Sequence, residues 1–426
     1  MNRKFETLAL HAGQTIDCDT NSRGVPLYRT SAYMFNSAEH ARKLFSLEEP
    51  GNIYTRIGNP TQDVLEKRMA SLEGGKAALA LASGTTAIFY TILNLCCHGD
   101  EIISAGNLYG GTYTMFSSIL QNYGITVKFF DINNPSEIAG LVTEKTRGIY
   151  IESIGNPGLE IPDFRKISEI AKKSELPLIV DSTFTTPYLF RPLEHGADIV
   201  IHSLTKWIGG HGTAIGGIVI DGGTFNWKCA KFDNFNKPDS GYHGLRFAHD
   251  LGEANELAYI IRMRIVPLRN LGACISPDNA WMFLQGIETL SLRMERHCDN
   301  ALKTAQFLQN NENVSWVNYP GLGTCASNST ALKYLKHGFG GMVSFGIKGG
   351  REAGEKFINN LKLISHLANV GDAKSLAIHP ASTTHSQLSA EELAAAGISD
   401  DMIRLSVGIE NIDDILNDLD TSLKEK

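Results

Sequence analysis

The chain has 426 residues, of which 42% are hydrophobic and 20% are charged. This composition is typical of a soluble globular protein that is long enough to form two domains or more. The formal net charge is −7 and no long cluster of lysine and arginine occurs, so the sequence predicts no nucleic-acid partner.

The sequence carries no targeting or redox signal. No apolar stretch has the length of a signal-peptide core, and none approaches the roughly 20 apolar residues of a membrane span, so we expect a cytoplasmic protein without membrane contact. The seven cysteines include the adjacent pair Cys96 and Cys97 but no C-x-x-C pair. We therefore expect no disulfide framework and no metal site, with most cysteines reduced and buried.

The first 220 residues divide into an irregular segment and an alternating one. Residues 1–60 show no clean hydrophobic period, whereas an amphipathic helix is predicted over 61–72, where Asn59 and Pro60 supply start signals. Strand-like apolar runs then alternate with mostly helical stretches, which predicts an α/β fold with a mainly parallel sheet covered by helices. The seven runs are 77–82, 101–104, 126–130, 148–152, 177–180, 198–202 and 215–220.

The C-terminal part of the sequence indicates a smaller α+β domain. Residues 221–262 contain no obvious long element and are interpreted as a lid, an interface or a surface excursion. One long helix is predicted over 276–308, followed by a strand over 341–347 and helices over 351–361 and 412–423. The predicted division is an N-terminal arm (1–60), a large domain (61–270) and a C-terminal domain (271–426).

The run Ser203-Leu204-Thr205-Lys206 lies between an apolar strand and a glycine-rich segment. A lysine amine can form an imine, and two neighbouring hydroxyl groups can hold a phosphate, which are the two needs of pyridoxal phosphate. Asp181 ends another predicted strand, at the edge where open α/β sheets bind ligands, and a carboxylate there can pair with a protonated pyridine nitrogen. Taken singly, such a lysine is more often solvated and such an aspartate is more often a turn residue or a cap.

Three further turns after predicted strands carry candidate ligands. Gly84 and Thr85 start a helix, whose free N–H groups can bind a phosphate, although an ordinary turn is the simpler interpretation. Tyr109 can stack on a heterocycle or transfer a proton. Asn156 can donate to a phenolic oxygen, but an asparagine before a proline is commonly a turn residue.

Arg404 stands alone inside a late apolar, strand-like run. A partly buried guanidinium needs a partner, which a substrate carboxylate or a structural salt bridge would supply equally well. The other candidates all fall at predicted strand ends, in chain order, and one planar phosphorylated cofactor accounts for them together.

On these motifs the sequence resembles the Cys/Met-metabolism family of pyridoxal-phosphate enzymes, which have the type I aminotransferase-like fold with a seven-stranded sheet. Within that family it is most similar to the O-acetylhomoserine sulfhydrylases. The resemblance spans residues 7–419, and its most specific segments are 53–61, 200–212 and 369–382. The segment 238–244 and Asn369, where lyase-type members tend to carry Ser, favour the sulfhydrylase branch. Leu204 is a mild departure, since Ala or Ser is commoner there.

The resemblance implies a role for each candidate residue. Lys206 would form the Schiff base, Asp181 would hold the pyridine nitrogen, and Tyr109 would stack on the ring and assist proton transfer. Arg404, with Asn369 and Tyr54, would bind the substrate, and Asn156 would face the phenolic oxygen. The remaining cofactor-binding residues would be Ser83, Gly84, Thr85, Thr183, Ser203 and Thr205, with Tyr54 and Arg56 reaching the phosphate from a neighbouring subunit of a homotetramer.

The reaction implied by this resemblance is a γ-replacement. O-acetyl-L-homoserine and sulfide, or a small thiol, would give L-homocysteine, or a thioether such as methionine, and acetate. The alternatives are a methionine γ-lyase, an enzyme of the cystathionine γ-synthase type, and a catalytically silent α/β scaffold. A nicotinamide-dependent dehydrogenase is disfavoured because no G-x-G-x-x-G follows the strand at residue 77.

Overall fold

The computed structural model describes residues 3–383 and 397–424. A seven-stranded sheet forms its larger part, with strand order β1-β7-β6-β5-β4-β2-β3. The strands are β1 (Ala77–Leu81), β2 (Glu101–Ala105), β3 (Thr126–Phe130), β4 (Thr146–Glu152), β5 (Leu178–Asp181), β6 (Ile199–Ser203) and β7 (Gly217–Asp221). The predicted seven-stranded, mainly parallel sheet is confirmed; only β7 runs antiparallel to its neighbours β1 and β6.

Helices cover both faces of this sheet, which explains why its central strands are apolar throughout. Leu178, Ile179 and Val180 of β5 are all fully buried, the pattern of a strand covered on both sides. The helices of this half are α1 (Phe5–His11), α2 (Ala38–Phe45), α3 (Pro60–Glu73), α4 (Gly84–Leu95), α5 (Gly110–Thr114), α6 (Glu137–Leu141), α7 (Phe164–Lys173), α8 (Thr186–Leu189), α9 (Asp233–Asn236), α10 (Ala258–Met263) and α11 (Arg269–Leu271). Two π-helical turns (Met115–Ile119, Arg264–Leu268) and three 3₁₀ turns (Leu120–Tyr123, Pro192–His195, Gly252–Leu257) complete it.

A second, smaller sheet has its own core. Its strands are β8 (Val314–Asn318), β9 (Met342–Ile347), β10 (Ser365–His366), β11 (Leu376–Ile378) and β12 (Met402–Ser406), in the order β10-β11-β12-β9-β8. The other elements are the helices α12 (Pro277–Glu288), α13 (Leu290–Gln309), α14 (Asn328–Tyr334), α15 (Gly350–Asn360) and α16 (Ile412–Lys424), and a 3₁₀ turn (Pro380–Ser382). The separate α+β part is confirmed, while the domain limits at residues 60 and 270 stay a prediction.

The single long helix predicted over 276–308 is wrong, because the backbone leaves the helical region at Thr289 (φ −111°, ψ 12°) and α12 and α13 are separate helices. The guanidinium of Arg293 explains the break. It donates to the carbonyl of Gly286 (2.6 Å), which in a continuous helix would accept from the residue four positions later. The same group donates to the carbonyls of Trp207 (2.6 Å) and Ile208 (3.1 Å), so the break fixes the turn that follows β6.

Two other expectations needed correction. The irregular arm contains the short helices α1 and α2; α2 has only eight residues and buries only Leu44, so it is too short for a hydrophobic period to be recognised in the sequence. Of the seven free cysteines only Cys96, Cys298 and Cys325 are buried, so the expectation that most are buried is wrong. Within the described ranges, no helix combines the length and the apolar character that crossing a membrane requires.

Candidate functional site

Four chain segments meet at the carboxyl edge of the larger sheet. Glu152 ends β4, Asp181 ends β5, and Ser203 ends β6. The start of α4 joins them, because Gly84 lies so close to Ser203 that a Cβ on Gly84 would be 2.6 Å from the Cβ of Ser203. Parallel strands present their carboxyl ends at one edge, so residues far apart in sequence form a single site there.

Lys206 lies in the turn that leaves β6. Its Nζ donates to the Oδ1 of Asn369 at 2.6 Å. Asn369 belongs to a loop from the smaller sheet, and this loop is fixed on the Lys206 turn by a hydrogen bond from the N–H of Ala373 to the carbonyl of Gly210 (2.8 Å). Segments from both halves of the molecule therefore fix the position of the Lys206 amine.

Gly371 permits this close packing. Its φ is +75°, and a Cβ there would lie 2.6 Å from the backbone nitrogen of Trp207. A side chain at this position would both strain the backbone and displace the turn.

The Lys206 amine is unusually acidic. Burial lowers its pKa to about 8, and the positive charge of Arg404 contributes in the same direction. An ammonium removed from water and facing another cation loses part of the stabilisation of its charged form. The amine is therefore available as a base or a nucleophile near neutral pH.

Arg404 lies in the middle of β12 with 9% of its surface exposed. Its Nη1 donates to the Oδ1 of Asn156 at 2.9 Å, and burial lowers its pKa to about 10. Asn156 thus accepts with its oxygen and keeps its NH₂ group for another acceptor. The structure brings together two residues that are 248 positions apart in sequence.

Asp181, Thr183 and Ser203 form a connected network. The Oδ1 of Asp181 accepts from the N–H of Thr183 (2.9 Å), whose hydroxyl oxygen accepts from the N–H of Ser203 (2.8 Å). The Oδ2 of Asp181 receives the hydroxyl of Tyr150 at 3.4 Å. Burial raises the pKa of Asp181, as expected for a carboxyl group that is removed from water.

Helix α4 points its N-terminus at the same place. The hydroxyl oxygen of Ser83 accepts from the N–H of Thr86 (3.0 Å), so Ser83 is the N-cap of α4. The N–H groups of Gly84 and Thr85, in the first turn, precede the intrahelical ladder and are suited to an anion.

Two other candidates have specific local positions. Tyr109 is 53% exposed and its N–H donates to the Oε1 of Glu152 (2.8 Å), so the backbone is fixed while the ring is free to stack on a ligand. The hydroxyl of Thr205 is shared with the backbone of Gly216, at 3.2 Å to its carbonyl and 3.1 Å to its N–H.

Tyr54 and Arg56 lie apart from this group. The guanidinium of Arg56 is 4.8 Å from the ring centre of Tyr54 and its Nε donates to the carbonyl of Arg269 (3.1 Å). Over the ranges that the structure describes, we find no hydrogen bond from either side chain to the residues at the sheet edge. A single chain therefore does not unite them with Lys206.

The sequence reasoning missed Glu152. It ends a buried apolar strand just as Asp181 does, so the same signal that identified Asp181 was present. Its carboxyl group contacts the Tyr109 turn, and burial raises its pKa well above the ordinary range, with Asp181 adding to the effect.

Comparison with known proteins identifies the family. The profile described as Cys/Met metabolism PLP-dependent enzyme matches residues 6–424, and the chain belongs to that family. It is 54% identical to the O-acetyl-L-homoserine sulfhydrylase of Leptospira meyeri (99% of this chain, 97% of the relative). It is 51% identical to the homocysteine synthase of Schizosaccharomyces pombe (99% and 98%).

A solved structure supports the same assignment. A Campylobacter jejuni protein with N′-pyridoxyl-lysine-5′-monophosphate at its position 205 superposes with a TM-score of 0.96 and 42% identity, over 99% of this chain and all of the other. The expected fold and the expected cofactor class are thereby confirmed.

The residues at the sheet edge fit pyridoxal phosphate. A partly buried amine, a carboxyl group on an adjacent strand, a helix N-terminus and an exposed aromatic ring match its aldehyde, pyridine nitrogen, phosphate and ring in turn. In the described part of the chain, no cluster of three or more His, Cys, Asp or Glu side chains is arranged to hold a metal ion.

The substitution Gly84→Ala tests the helix terminus as a phosphate site. The new methyl group would meet Ser203 at 2.6 Å and force the two segments apart, so we expect pyridoxal phosphate to bind at least about tenfold more weakly. Fluorescence titration of the apoprotein measures this. Gly140→Ala is the matched control, since a methyl group added there would have nothing within 4 Å; equal affinities of both variants would contradict the assignment.

The acidity of Lys206 predicts a pH profile. In the apoprotein, the rate of acylation of its amine should reach half its maximum near pH 8, because only the neutral amine reacts. Arg404→Met removes a nearby positive charge and should move this midpoint to higher pH, since the ammonium form is then less disfavoured. Competitive labelling followed by mass spectrometry measures the midpoint.

The control for this experiment is Arg296→Met, which removes an exposed cation on α13. It should leave the midpoint where it is. A wild-type midpoint above pH 10, or identical midpoints in all three proteins, would refute the electrostatic account.

Proposed function

We propose that this protein catalyses the replacement of the acetyl group of O-acetyl-L-homoserine by sulfide, giving L-homocysteine and acetate, and that a small thiol can take the place of sulfide. The observation that carries the proposal is the pair formed at the sheet edge by Lys206, which is partly buried, and Arg404, which is buried. It combines an amine of lowered pKa with a guanidinium suited to an amino-acid carboxylate. The name of the Leptospira relative indicates the substrate, and the name of the Schizosaccharomyces relative indicates the product.

Pyridoxal phosphate, when bound, withdraws electrons from the carbon atoms next to the substrate nitrogen. The chain supplies the groups that hold this cofactor. Asp181 would keep the ring nitrogen protonated, and Tyr109 would cover the ring face. The N–H groups of Gly84 and Thr85 would bind the phosphate, with Ser83, Thr183, Ser203 and Thr205 shaping the turn around it, and the free NH₂ group of Asn156 would donate to the phenolic oxygen.

The protein would bind the substrate through its carboxylate and would remove a proton from its α-carbon. Arg404 would bind the carboxylate through two parallel hydrogen bonds. Its hydrogen bond to Asn156 is to a neutral group, and within the described ranges it forms no ion pair. Lys206, neutral in part near pH 8, would remove the α-proton, and Tyr109 would assist proton transfer at the neighbouring carbon atom. Asn369, which holds the amine, would also border the substrate.

A product analysis tests this function. Purified holoenzyme given O-acetyl-L-homoserine and sulfide should form homocysteine and acetate in equal amounts, and little 2-oxobutyrate. Borohydride reduction followed by peptide mapping should place the pyridoxyl group on Lys206, and Lys206→Ala should abolish both the tag and the activity. Keto acid as the main product under excess sulfide would make the protein a γ-lyase instead, and a tag at another lysine would reject the site.

The active site is proposed to be shared between subunits of a homotetramer built as a dimer of dimers. Tyr54 is 39% exposed and lies with Arg56 on an arm that also exposes 96% of Met34, so these side chains are available to a second copy. Tyr54 and Arg56 would contact the phosphate bound in the neighbouring subunit and would complete the phosphate site around Gly84. The seven free thiols suit a reducing compartment such as the cytoplasm.

Subunit mixing tests the shared site. Lys206→Ala and Arg56→Ala proteins, each inactive alone, should regain about a quarter of the wild-type activity when unfolded and refolded together in equal amounts, because a quarter of the sites then join two intact halves. A mixture of Lys206→Ala with Arg404→Ala should stay inactive, because these residues belong to one chain. No recovery in the first mixture would disprove the arrangement.

A further inference from the structure

Glu152 and Asp181 are neighbouring carboxyl groups at the edge of the sheet. They pair directly in the parallel register of β4 and β5, so their side chains leave the same face of the sheet on strands about 4.8 Å apart. Glu152 is 9% exposed. Neither group forms an ion pair within the ranges that the structure describes.

The surroundings offer little to compensate two negative charges. Tyr150 on β4 contacts Asp181 through its hydroxyl, and the imidazole of His202 on β6 is bound to the carboxyl group of Glu73 at 2.6 Å. Glu152 itself receives one backbone N–H, from Tyr109. Two carboxylates in such a place cannot both ionise at low cost, and one of them keeps a proton.

We propose that Glu152 is a positioning residue of the cofactor pocket: it stays protonated, leaves the single negative charge of the pair on Asp181, and fixes the turn that carries Tyr109. This inference rests on the proposed cofactor site and goes beyond it. Asp181 is the better place for the charge because its Oδ1 already accepts the N–H of Thr183 (2.9 Å). A pyridinium nitrogen would stabilise that charge further.

The contact with Tyr109 gives Glu152 a second effect. Tyr109 is the residue before α5, and its half-exposed ring has little packing of its own to hold it. The hydrogen bond from its N–H to Glu152 (2.8 Å) ties the ring-bearing turn to the strand beside Asp181. One side chain thereby sets the distance between the group that would hold the ring nitrogen and the group that would cover the ring.

The first test compares three substitutions by cofactor affinity and absorption spectrum. Glu152→Gln keeps a neutral group of the same shape, which can still accept from Tyr109, so we expect affinity within about threefold of wild type and an unchanged spectrum. Glu152→Ala removes the contact and should weaken binding at least about tenfold. Glu152→Asp keeps the acid but shortens its reach, and should fall between them.

The second test uses the apoprotein and does not depend on activity. Burial holds a proton on Glu152 in the folded state beyond the pH near 4.5 at which the unfolded chain releases it, so the free energy of unfolding falls as pH rises above that value. Glutamine carries no such proton. The melting temperature of Glu152→Gln relative to wild type should therefore rise between pH 5.5 and pH 8.5.

Asp221→Asn is the matched control. Asp221 is a buried carboxyl group whose pKa burial raises to about 7, but it ends β7 at the opposite edge of the sheet, paired with Ile199. Its variant should also gain melting temperature relative to wild type as pH rises, with the gain levelling off above about pH 7, and should keep wild-type affinity for the cofactor. This separates a general effect of buried carboxyl groups from an effect on the pocket.

Two results would overturn the inference: a loss of affinity in Glu152→Gln as large as in Glu152→Ala, or a melting difference that is the same at both pH values. If Glu152→Ala does not fold, the Gln and Asp variants decide the question. A wild-type protein that binds no pyridoxal phosphate, or carries it away from Lys206, would instead reject the proposed function.

Discussion

The site depends on two cations held near each other beside the carboxyl edge of the larger sheet, Arg404 buried and Lys206 partly buried. Lys206 and Arg404 face each other closely enough for the guanidinium to depress the pKa of the amine, and the groups that contact them, Asn369 and Asn156, are neutral. Uncompensated buried charge is unfavourable. A ligand that brings a phosphate and a carboxylate would offset this unfavourable free energy. The two positive charges therefore favour the binding of anions.

The two halves of the molecule are joined at the same point. The turn after β6 is fixed on one side by Arg293, which binds the carbonyls of Trp207 and Ile208. On the other side the loop at Gly371 packs against the backbone of Trp207. The interruption of the helix pair α12 and α13 is part of this arrangement, because the arginine at the break is the one that reaches the turn.

Much of the fold was readable from the sequence. The seven predicted apolar runs correspond to the seven strands, because buried parallel strands consist of uninterrupted apolar residues. Residues at the carboxyl ends of these strands, such as Asp181, lie close together because parallel strands end at the same edge of the sheet. The break at Thr289 was not readable, because the cause is a guanidinium that finds its carbonyls only in the folded chain. Glu152 was overlooked although it carries the strand-end signal, because a glutamate after an apolar run also suits a solvated strand end. The proposal that Tyr54 and Arg56 act across subunits came from resemblance, and within residues 3–383 and 397–424 of one chain we find no contact that would reveal it.

The hydrogen bond between Lys206 and Asn369 crosses from one sheet to the other. Its two ends are 163 residues apart along the chain, and Val370, next to Asn369, packs in the same apolar core as Leu204 and Trp207 beside Lys206. An insertion or deletion near either residue would therefore have to conserve the relative position of the Lys206 turn and the Asn369 loop. Evolutionary change of loop length should accordingly collect on the outer surfaces, away from this junction.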